Sequence, residues 1–363
     1  MFTDVKFPSY IKFCSVALAL SSYGFVAKTE SMPWYLDKPT SLHTAAAINA
    51  SNLVQSKAGS PIVVAVIDSG VVADHPSLVG RVLPGRDMVS ASLNPRGGRS
   101  ENAYPDDSDA VCPNNKGARP PQSLFHGTEV ASVIAGNGQF GVLGVNPNVR
   151  ILPVKAVGVC PASRQDFHDA VAWAGGLPVS GSPVNPHPAK LINISMAGQD
   201  AVCHPGLQLI IDRLLEKGVL IVSAAGNTFG KRAREPAVCR GVVSVGAVNP
   251  DRSLAFYSAS DDRIMIVAPG GGKSFDGLST NEKNRIRVAT FDVCSQTGKL
   301  TAVMKDSGLG TSFATPLVTG VLAGVMQKKS SLTPKELIAK IETSEGSGAK
   351  GQYRFLDYEF LIR

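Results

Sequence analysis

The sequence predicts a doubly wound three-layer α/β sandwich with a mainly parallel central sheet. Three observations support this fold class. Strand-like and helix-like segments alternate from residue 41 onward. The strand-like segments are apolar on both faces, which is typical of parallel strands covered by helices on either side. Hydrophobic residues make up 44% of the 363 residues, which is enough for a sizeable core and too much for a disordered chain.

Five segments have the features of buried central strands. Each is short, rich in β-branched residues and without an alternating polar face. In chain order they are residues 62–67, 150–157, 190–196, 219–225 and 242–248.

Segments with apolar residues at helical spacing lie between and after these strands. They cover residues 126–136, 164–176, 206–218, 309–329 and 333–342. The last segment opens with a Thr-Pro helix start. Pro316, within the fourth segment, is expected in the first helical turn, where a helix tolerates proline.

Two stretches interrupt this alternation. Residues 84–122 are rich in Pro, Gly, Asn and Asp, which predicts a long surface excursion. Residues 270–307 contain glycine-rich and polar segments, and we expect a small hairpin there. Because both are longer than ordinary connections, we expect them to shape a binding cleft.

Composition and charge exclude several classes of protein. The net charge is +7, but Lys and Arg are scattered, so we expect no nucleic-acid partner. No apolar run reaches the roughly 18 residues that a membrane span requires.

Sequence motifs for metal and nucleotide sites are also missing or incomplete. There is no C-x-x-C spacing, so no zinc site is expected. The G-x-G-x-x-G match at 136–141 follows a helix, and GGGKS at 270–274 lacks the first glycine of a phosphate loop, so both are rejected as nucleotide sites.

The N-terminus predicts export. Lys6 and Lys12 precede an apolar stretch at residues 13–20, and small residues follow, as in a secretory signal peptide. Cleavage is expected after Ser21 or after Ala27, and the mature protein is expected to be secreted or periplasmic. The predicted organisation is a signal peptide at 1–27, an N-terminal lead segment at 28–40 and one α/β domain at 41–363.

Two polar residues stand at element boundaries suited to chemistry. Asp68 ends the first buried strand, at the carboxyl edge where parallel sheets place ligands and catalysis. His126 opens a helix, and Gly127 beside it allows close approach of another backbone. Each residue taken alone also has a purely structural explanation. Asp68 could be one of the many aspartates that end strands, and His126 could be a histidine with a structural role only.

Two further residues have the properties needed to attack and to stabilise a carbonyl group. Ser312 follows a glycine-rich turn at a helix N-terminus, where free amides favour developing negative charge. Asn227 comes directly after a buried strand, and its side-chain amide can donate to an oxyanion. The structural alternatives are a helix-capping Ser and a turn Asn.

Asp68, His126 and Ser312 occur in the chain order of one of the convergent serine-protease triads. The segments VAVIDSGV, HGTEVASVIAG, AAGN and GTSFATPLVTG match the Asp, His, oxyanion and Ser motifs of the subtilases, the subtilisin-like serine peptidases. The chain resembles this family from about residue 41 to the C-terminus, which implies a subtilisin-like peptidase domain there. The resemblance implies a nucleophile at Ser312, a general base at His126 and an orienting carboxylate at Asp68. Asn227 and the Ser312 backbone amide would form the oxyanion hole, and no cofactor would be needed for the chemistry.

The resemblance also implies where substrate binds. In the family, one segment pairs with an extended polypeptide as an added strand, and a second lines the pocket for the residue before the scissile bond. The corresponding residues are Ser195, Met196, Ala197, Gly198, Ala224, Ala225 and Gly226. Arg234 and Glu235 are expected near the base of this pocket, where Glu235 would favour a basic side chain. A monomer is expected.

The cysteines are similar in pattern to those of a branch of secreted bacterial subtilases. Of the six cysteines, five remain once Cys14 is removed with the signal peptide, and export permits disulfides. The resemblance implies bridges Cys112–Cys160 and Cys203–Cys239, with Cys294 free. Five reduced thiols are the alternative.

Two residues within the motifs differ from the family pattern, and neither of them is a residue of the triad. Glu129 stands where a second His is common, a position that supports packing on the substrate side. Leu317 stands where a His is frequent, and we expect it to face the core.

The family's usual calcium site is expected to be lost. Ser77 and Gly138 fall where that site has acidic and amide ligands, and a hard cation needs such oxygens. Asp106, Asp107 and Asp109 are expected to form an acidic solvated loop, with structural calcium there as the alternative.

Two other functions fit parts of the sequence. One is a catalytically silent interaction protein with the subtilase fold, against which the intact triad and Asn227 argue. The other is an esterase, which would call for a G-x-S-x-G elbow and a different triad order. The catalytic pattern starts near Trp34, soon after the predicted signal peptide, with no counterpart of the family's inhibitory propeptide. We therefore expect unaided folding, a folding or activating partner, or a protein that is rarely active.

Overall fold

A parallel sheet forms the centre of the protein in the computed structural model. The structure describes residues 32–41, 44–56, 60–106, 112, 124–272, 284–293, 299–344 and 353–363. Within these residues, seven strands pair in the order β2-β3-β1-β4-β5-β6-β7, all in parallel. They are β1 Ile62–Asp68, β2 Arg86–Asp87, β3 Val149–Lys155, β4 Leu191–Ile194, β5 Leu220–Ala224, β6 Val242–Val248 and β7 Ile266–Pro269. The predicted mainly parallel sheet is confirmed.

Two strands were not among the predicted central strands. β2 has two residues and β7 has four, and each lies at an edge of the sheet. Segments this short carry too few residues for a hydrophobic period to appear. The five predicted strands all form, with ends within two residues of the predicted bounds.

Helices cover both faces of the sheet. They are α1 Ser51–Gln55, α2 His126–Ala135, α3 Arg164–Ala174, α4 Pro205–Glu216, α5 Thr311–Lys328, α6 Pro334–Glu342 and α7 Tyr358–Ile362. Alternate residues of β1 belong to different cores: Val64 and Val66 cluster with side chains of α2 and α5, and Ala65 and Ile67 with side chains of α3 and α4. This is the predicted three-layer arrangement, since successive strand residues point to opposite faces.

The predicted hairpin is present and packs on α2. Its strands β8 Ile286–Val293 and β9 Leu300–Gly308 pair in antiparallel register. The backbone amide of Ala289 donates to Ser132 Oγ at 3.0 Å, and the rings of Phe125 and Phe291 lie 5.1 Å apart. The hairpin therefore braces the helix that begins at His126.

Helix α5 passes through the core and differs from expectation at one point. Pro316 is its sixth residue, so the expectation that it lies in the first turn was wrong. A proline inside a helix donates no hydrogen bond to the carbonyl four residues earlier, here that of Ser312. Leu317 is fully buried, as predicted.

The predicted surface excursion has a buried charged centre. Lys155, at the end of β3, is fully buried, and its Nζ contacts the carboxylates of Asp87 and Asp106. Asp106 also accepts the Val159 amide at 2.8 Å. The prediction that Asp106 belongs to a solvated acidic loop was therefore wrong, because a partner 49 residues away neutralises it. Asp107 and Asp109 lie outside the described residues.

Both implied disulfides are present. Cys112 bonds to Cys160 and Cys203 to Cys239. Cys294 and residues 1–27 lie outside the described residues. In the part of the predicted lead segment that is described, Tyr35 and Leu36 pack into the main core. None of the helices in the described part of the chain combines the length and apolar character that crossing a bilayer demands.

Candidate active site

The site begins at the carboxyl end of β1. Asp68 is fully buried and accepts the Ser69 amide at 2.7 Å. Ser69 Oγ in turn accepts the Gly127 amide at 3.2 Å, which fixes the first turn of α2 against this strand end. A Cβ on Gly127 would lie 2.3 Å from the Gly70 carbonyl oxygen, so this close contact requires glycine, as predicted.

This packing places His126 on Asp68. His126 Nδ1 lies 2.9 Å from Asp68 Oδ1 and 3.0 Å from Oδ2. Burial alone would lower the pKa of His126, but the Asp68 carboxylate outweighs it, so the pKa is raised above the ordinary 6.5. The contact leaves the second ring nitrogen, Nε2, for a partner in the cleft.

Ser312 is the second residue of α5 and is mostly buried. The ring of the next residue, Phe313, packs edge-on against His126 at 5.6 Å between centroids. This contact fixes the start of α5 beside the imidazole. The helix N-terminus adds free amides and a positive dipole end at the same place.

Asn227 is held in one orientation by Thr311, a residue the sequence analysis missed although it directly precedes Ser312. Asn227 Oδ1 accepts both the Thr311 amide and the Thr311 hydroxyl, each at 3.0 Å. Because the oxygen is occupied, Nδ2 is the end of the amide that is free to face the Ser312 hydroxyl. A Cβ on Gly310 would lie 3.0 Å from both Asn227 Nδ2 and Ser312 Oγ. Because Gly310 has no side chain, the space between the Asn227 side-chain amide and the Ser312 hydroxyl stays open.

A cleft of about 840 Å³ brings most of the predicted site residues together. Its lining includes His126, Ser195, Met196, Ala197, Gly198, Ala224, Gly226, Asn227 and Ser312. Ala225 does not line it, because its side chain is fully buried in an apolar cluster with Ala233 and Ala237. Ser195 contributes little side-chain surface: it is 2% exposed, and its hydroxyl donates to the Ser312 carbonyl at 2.8 Å.

Glu235 lines the cleft, as expected, whereas the Arg234 guanidinium turns to the Gln199 carbonyl at 2.5 Å. One Glu235 oxygen accepts the His204 amide at 2.6 Å. The Glu235 carbonyl accepts the Gly198 amide at 2.8 Å, and the Glu235 amide donates to the Asp200 carbonyl at 2.8 Å. Two chain segments thus form one wall of the cleft.

Glu129 is not among the residues that line this cleft. Its carboxylate accepts the Thr290 hydroxyl at 2.8 Å, so it contacts the hairpin. Burial raises the pKa of Glu129, although the nearby His126 acts in the opposite direction.

The described residues at the family's usual calcium position contact one another. Ser77 Oγ donates to the Gln139 carbonyl at 3.2 Å, and the Asn137 amide donates to the Ser77 carbonyl at 2.9 Å. Elsewhere in the described part of the chain, Cys203, Glu235 and Cys239 lie within metal-binding distance of one another. The sulfurs of Cys203 and Cys239 are joined in a disulfide, so these residues do not offer the thiolates that a metal would bind.

Comparisons with known proteins identify the family of the chain. The model of the subtilase family matches residues 59–357. An extracellular basic protease from Dichelobacter nodosus is 35% identical over 295 residues, covering 77% of this chain and 46% of that protein. An extracellular protease from Xanthomonas campestris is 34% identical over 308 residues, covering 83% and 49%. The chain thus spans about half the length of these curated relatives.

Solved structures share the fold. A protease from Pseudoalteromonas arctica has a TM-score of 0.77 at 31% identity, covering 91% of this chain and 96% of that one. Fervidolysin from Fervidobacterium pennivorans has a TM-score of 0.63 at 22% identity, covering 88% and 45%. With a family model that matches most of its length and a catalytic-type cleft at the expected sheet edge, the chain belongs to the subtilase family.

Proposed function

We propose that the protein is an exported serine endopeptidase that hydrolyses peptide bonds through an acyl-enzyme at Ser312. One observation carries the proposal. The Asp68–His126 pair, the Ser312 hydroxyl and an Asn227 amide fixed by Thr311 converge on a single cleft. Family membership supports the same activity.

Each group has a role that follows from its contacts. Ser312 Oγ attacks the substrate carbonyl carbon, and its proton passes to His126 Nε2. Asp68 keeps the Nδ1 proton of the ring in place and stabilises the imidazolium. Asn227 Nδ2 and the Ser312 amide bind the oxyanion. His126 then gives this proton to the leaving amine as the peptide bond breaks. In the second half of the reaction a water molecule attacks the acyl carbon and passes a proton to His126 Nε2. His126 returns that proton to Ser312 Oγ as the ester bond breaks and the carboxylic acid product leaves.

The substrate proposed is an extended polypeptide segment. The main chain of Ser195–Gly198 borders the cleft at the end of β4, where it offers hydrogen-bonding groups to an added strand. Ala224 and Gly226 also line the cleft. Main-chain pairing of this kind recognises an extended chain regardless of its side chains.

The test of the proposed activity is labelling with a fluorophosphonate. The probe reacts with an activated serine and needs no knowledge of the substrate. We expect the mature protein to be labelled and to cleave unfolded casein, and Ser312→Ala, verified as folded by circular dichroism, to do neither. A folded wild-type protein that neither reacts nor cleaves would contradict the activity and favour the silent interaction protein. Turnover of esters without turnover of amides would favour an esterase.

Specificity is proposed to include a basic residue before the scissile bond. Glu235 supports this, since it is a carboxylate on the cleft wall with one oxygen engaged by His204. A peptide-library profile of wild type should favour Lys or Arg, and Glu235→Gln should lose that preference. An unchanged profile in Glu235→Gln would contradict this specificity and leave the activity itself intact.

Location and partners complete the proposal. We place the mature protein outside the cytoplasm, as a monomer of one peptidase domain at 41–363, on the basis of the predicted signal sequence and the extracellular relatives. N-terminal sequencing of the exported product and its mass in solution test these points. Labelling that appears only after other secreted host proteins are added would identify an activating partner.

A further inference from the structure

We propose that Ser195 is a positioning residue for the nucleophile: its buried hydroxyl replaces the amide that Pro316 lacks and holds the Ser312 carbonyl. This role rests on the proposed function, because it concerns the serine that would attack the substrate. Ser195 would then have two roles. Its main chain borders the substrate cleft, and its side chain holds the backbone carbonyl of Ser312.

The need for a hydrogen-bond donor arises from the helix itself. In an α-helix the amide of residue 316 would donate to the carbonyl of residue 312. Pro316 has no amide hydrogen, so this carbonyl lacks the partner that an α-helix normally supplies four residues later. Ser195 Oγ donates to it at 2.8 Å, with both residues more than nine-tenths buried. An unpaired carbonyl in such a place would be costly, so the hydroxyl satisfies it.

Asn193 fixes the direction in which the Ser195 hydroxyl donates. Asn193 Nδ2 donates to Ser195 Oγ at 3.0 Å, which leaves the hydroxyl hydrogen for the Ser312 carbonyl. Asn193 Oδ1 accepts the Thr319 hydroxyl at 2.8 Å. Asn193 and Thr319 are both fully buried. The hydrogen bonds therefore form a chain from Thr319 of α5 to Asn193 of β4, then to Ser195 directly after β4. From Ser195 the chain returns to the Ser312 carbonyl in the first turn of α5.

Holding the Ser312 carbonyl fixes the peptide plane that follows the nucleophile. The Ser312 amide and hydroxyl belong to the same residue, and both would act on the substrate carbonyl. Displacements of this residue by a fraction of an ångström would reduce turnover, since reacting groups must lie within narrow limits of distance and angle. Substrate affinity depends on the cleft walls and should change less.

A double-mutant cycle tests the role. Ser195→Ala removes the donor, and we expect kcat to fall about tenfold, the effect of one hydrogen bond lost at a buried group, with KM little changed. Pro316→Ala supplies a backbone amide to the same carbonyl. In the Ser195→Ala background, Pro316→Ala should restore most of the lost kcat, so the two changes are strongly non-additive.

The matched control is Ser244→Ala. Ser244 is a buried serine on β6 whose hydroxyl has no hydrogen-bond partner among the described residues. Its variant should keep the wild-type kcat. Thermal unfolding of every variant separates loss of fold from loss of rate. If Ser195→Ala does not fold, Thr319→Val, which removes the far end of the network, should lower kcat in the same direction.

Four outcomes decide whether Ser195 positions the nucleophile. Recovery of kcat by Pro316→Ala in the Ser195→Ala background supports the positioning role. A wild-type kcat in Ser195→Ala, or a loss that Pro316→Ala does not reverse, overturns it while wild-type labelling keeps the proposed peptidase intact. Absence of labelling in folded wild type refutes the peptidase activity and this role with it.

Discussion

Both carboxylate oxygens of Asp68 lie within hydrogen-bond distance of one atom, His126 Nδ1, at 2.9 and 3.0 Å. The carboxylate is fully buried. Burial of the His126 ring disfavours its positive form, but the attraction of the Asp68 carboxylate outweighs that cost, so the pKa of His126 is raised. The pair therefore combines two effects: it fixes which ring nitrogen carries the proton, and it makes the ring more basic.

The pH dependence of activity follows from this pair. Only neutral His126 accepts the Ser312 proton, and its pKa is raised above 6.5. We expect kcat/KM to fall as the pH decreases through a value above 6.5, measured with a peptide substrate between about pH 5 and pH 10. Asp68→Asn should lower kcat by about 10⁴-fold. An acid limb below that of a free imidazole would contradict the raised pKa.

Asn227 should act on the transition state. Asn227→Ala removes the Nδ2 donor, and we expect kcat to fall by about 100–1000-fold with KM nearly unchanged, as for other oxyanion donors. The matched control is Asn52→Ala, an exposed residue of helix α1 that does not line the cleft, and this variant should keep the wild-type kcat. A KM effect larger than the kcat effect would indicate that Asn227 binds ground-state substrate instead.

Glu129 should make the fold less stable as the pH rises. Burial raises the pKa of Glu129, so the folded state binds this proton more tightly than the unfolded state. The resulting stability is present below pH 4.5 and is lost as the pH rises through the folded pKa. Glu129→Gln keeps an acceptor for Thr290 without the charge. Its Tm should exceed that of wild type by more at pH 8 than at pH 5, and a difference independent of pH would contradict this assignment.

The Cys203–Cys239 bridge should stabilise the cleft wall. It closes a loop of 36 residues that contains Glu235, and loop closure of this size is worth about 4 kcal/mol. Urea unfolding of Cys203→Ser/Cys239→Ser should show a loss of about 2–4 kcal/mol in the free energy of unfolding. Cys112→Ser/Cys160→Ser provides the comparison. Equal stability of wild type with and without a reductant that opens the bridge would be inconsistent with this estimate.

The sequence predicted the fold and the chemistry from local features, and what it missed depends on distant partners. Asp68 ends strand β1, Asn227 lies shortly after β5, and His126 and Ser312 lie in the first turns of α2 and α5, so short motifs were enough to single them out. Asp106 was misassigned because its partner Lys155 lies 49 positions away and nothing in the spacing connects them. Thr311 was missed because its role exists only once Asn227, 84 positions earlier, is folded beside it. Pro316 was misplaced because its cost to α5 is offset by Ser195, on another element.

Gly310 gives a way to distinguish enzymes from inert relatives by inspecting one position. Its backbone adopts φ 145°, its amide donates to the Gly270 carbonyl at 2.8 Å, and a single methyl group there would fill the room between Asn227 and Ser312. A homologue could keep Asp, His, Ser and Asn unchanged and still lose hydrolysis through one codon at this site. Surveys that score only the triad would count such a chain as active. We therefore expect Gly310→Ala to reduce turnover while the residues that line the rest of the cleft stay unchanged.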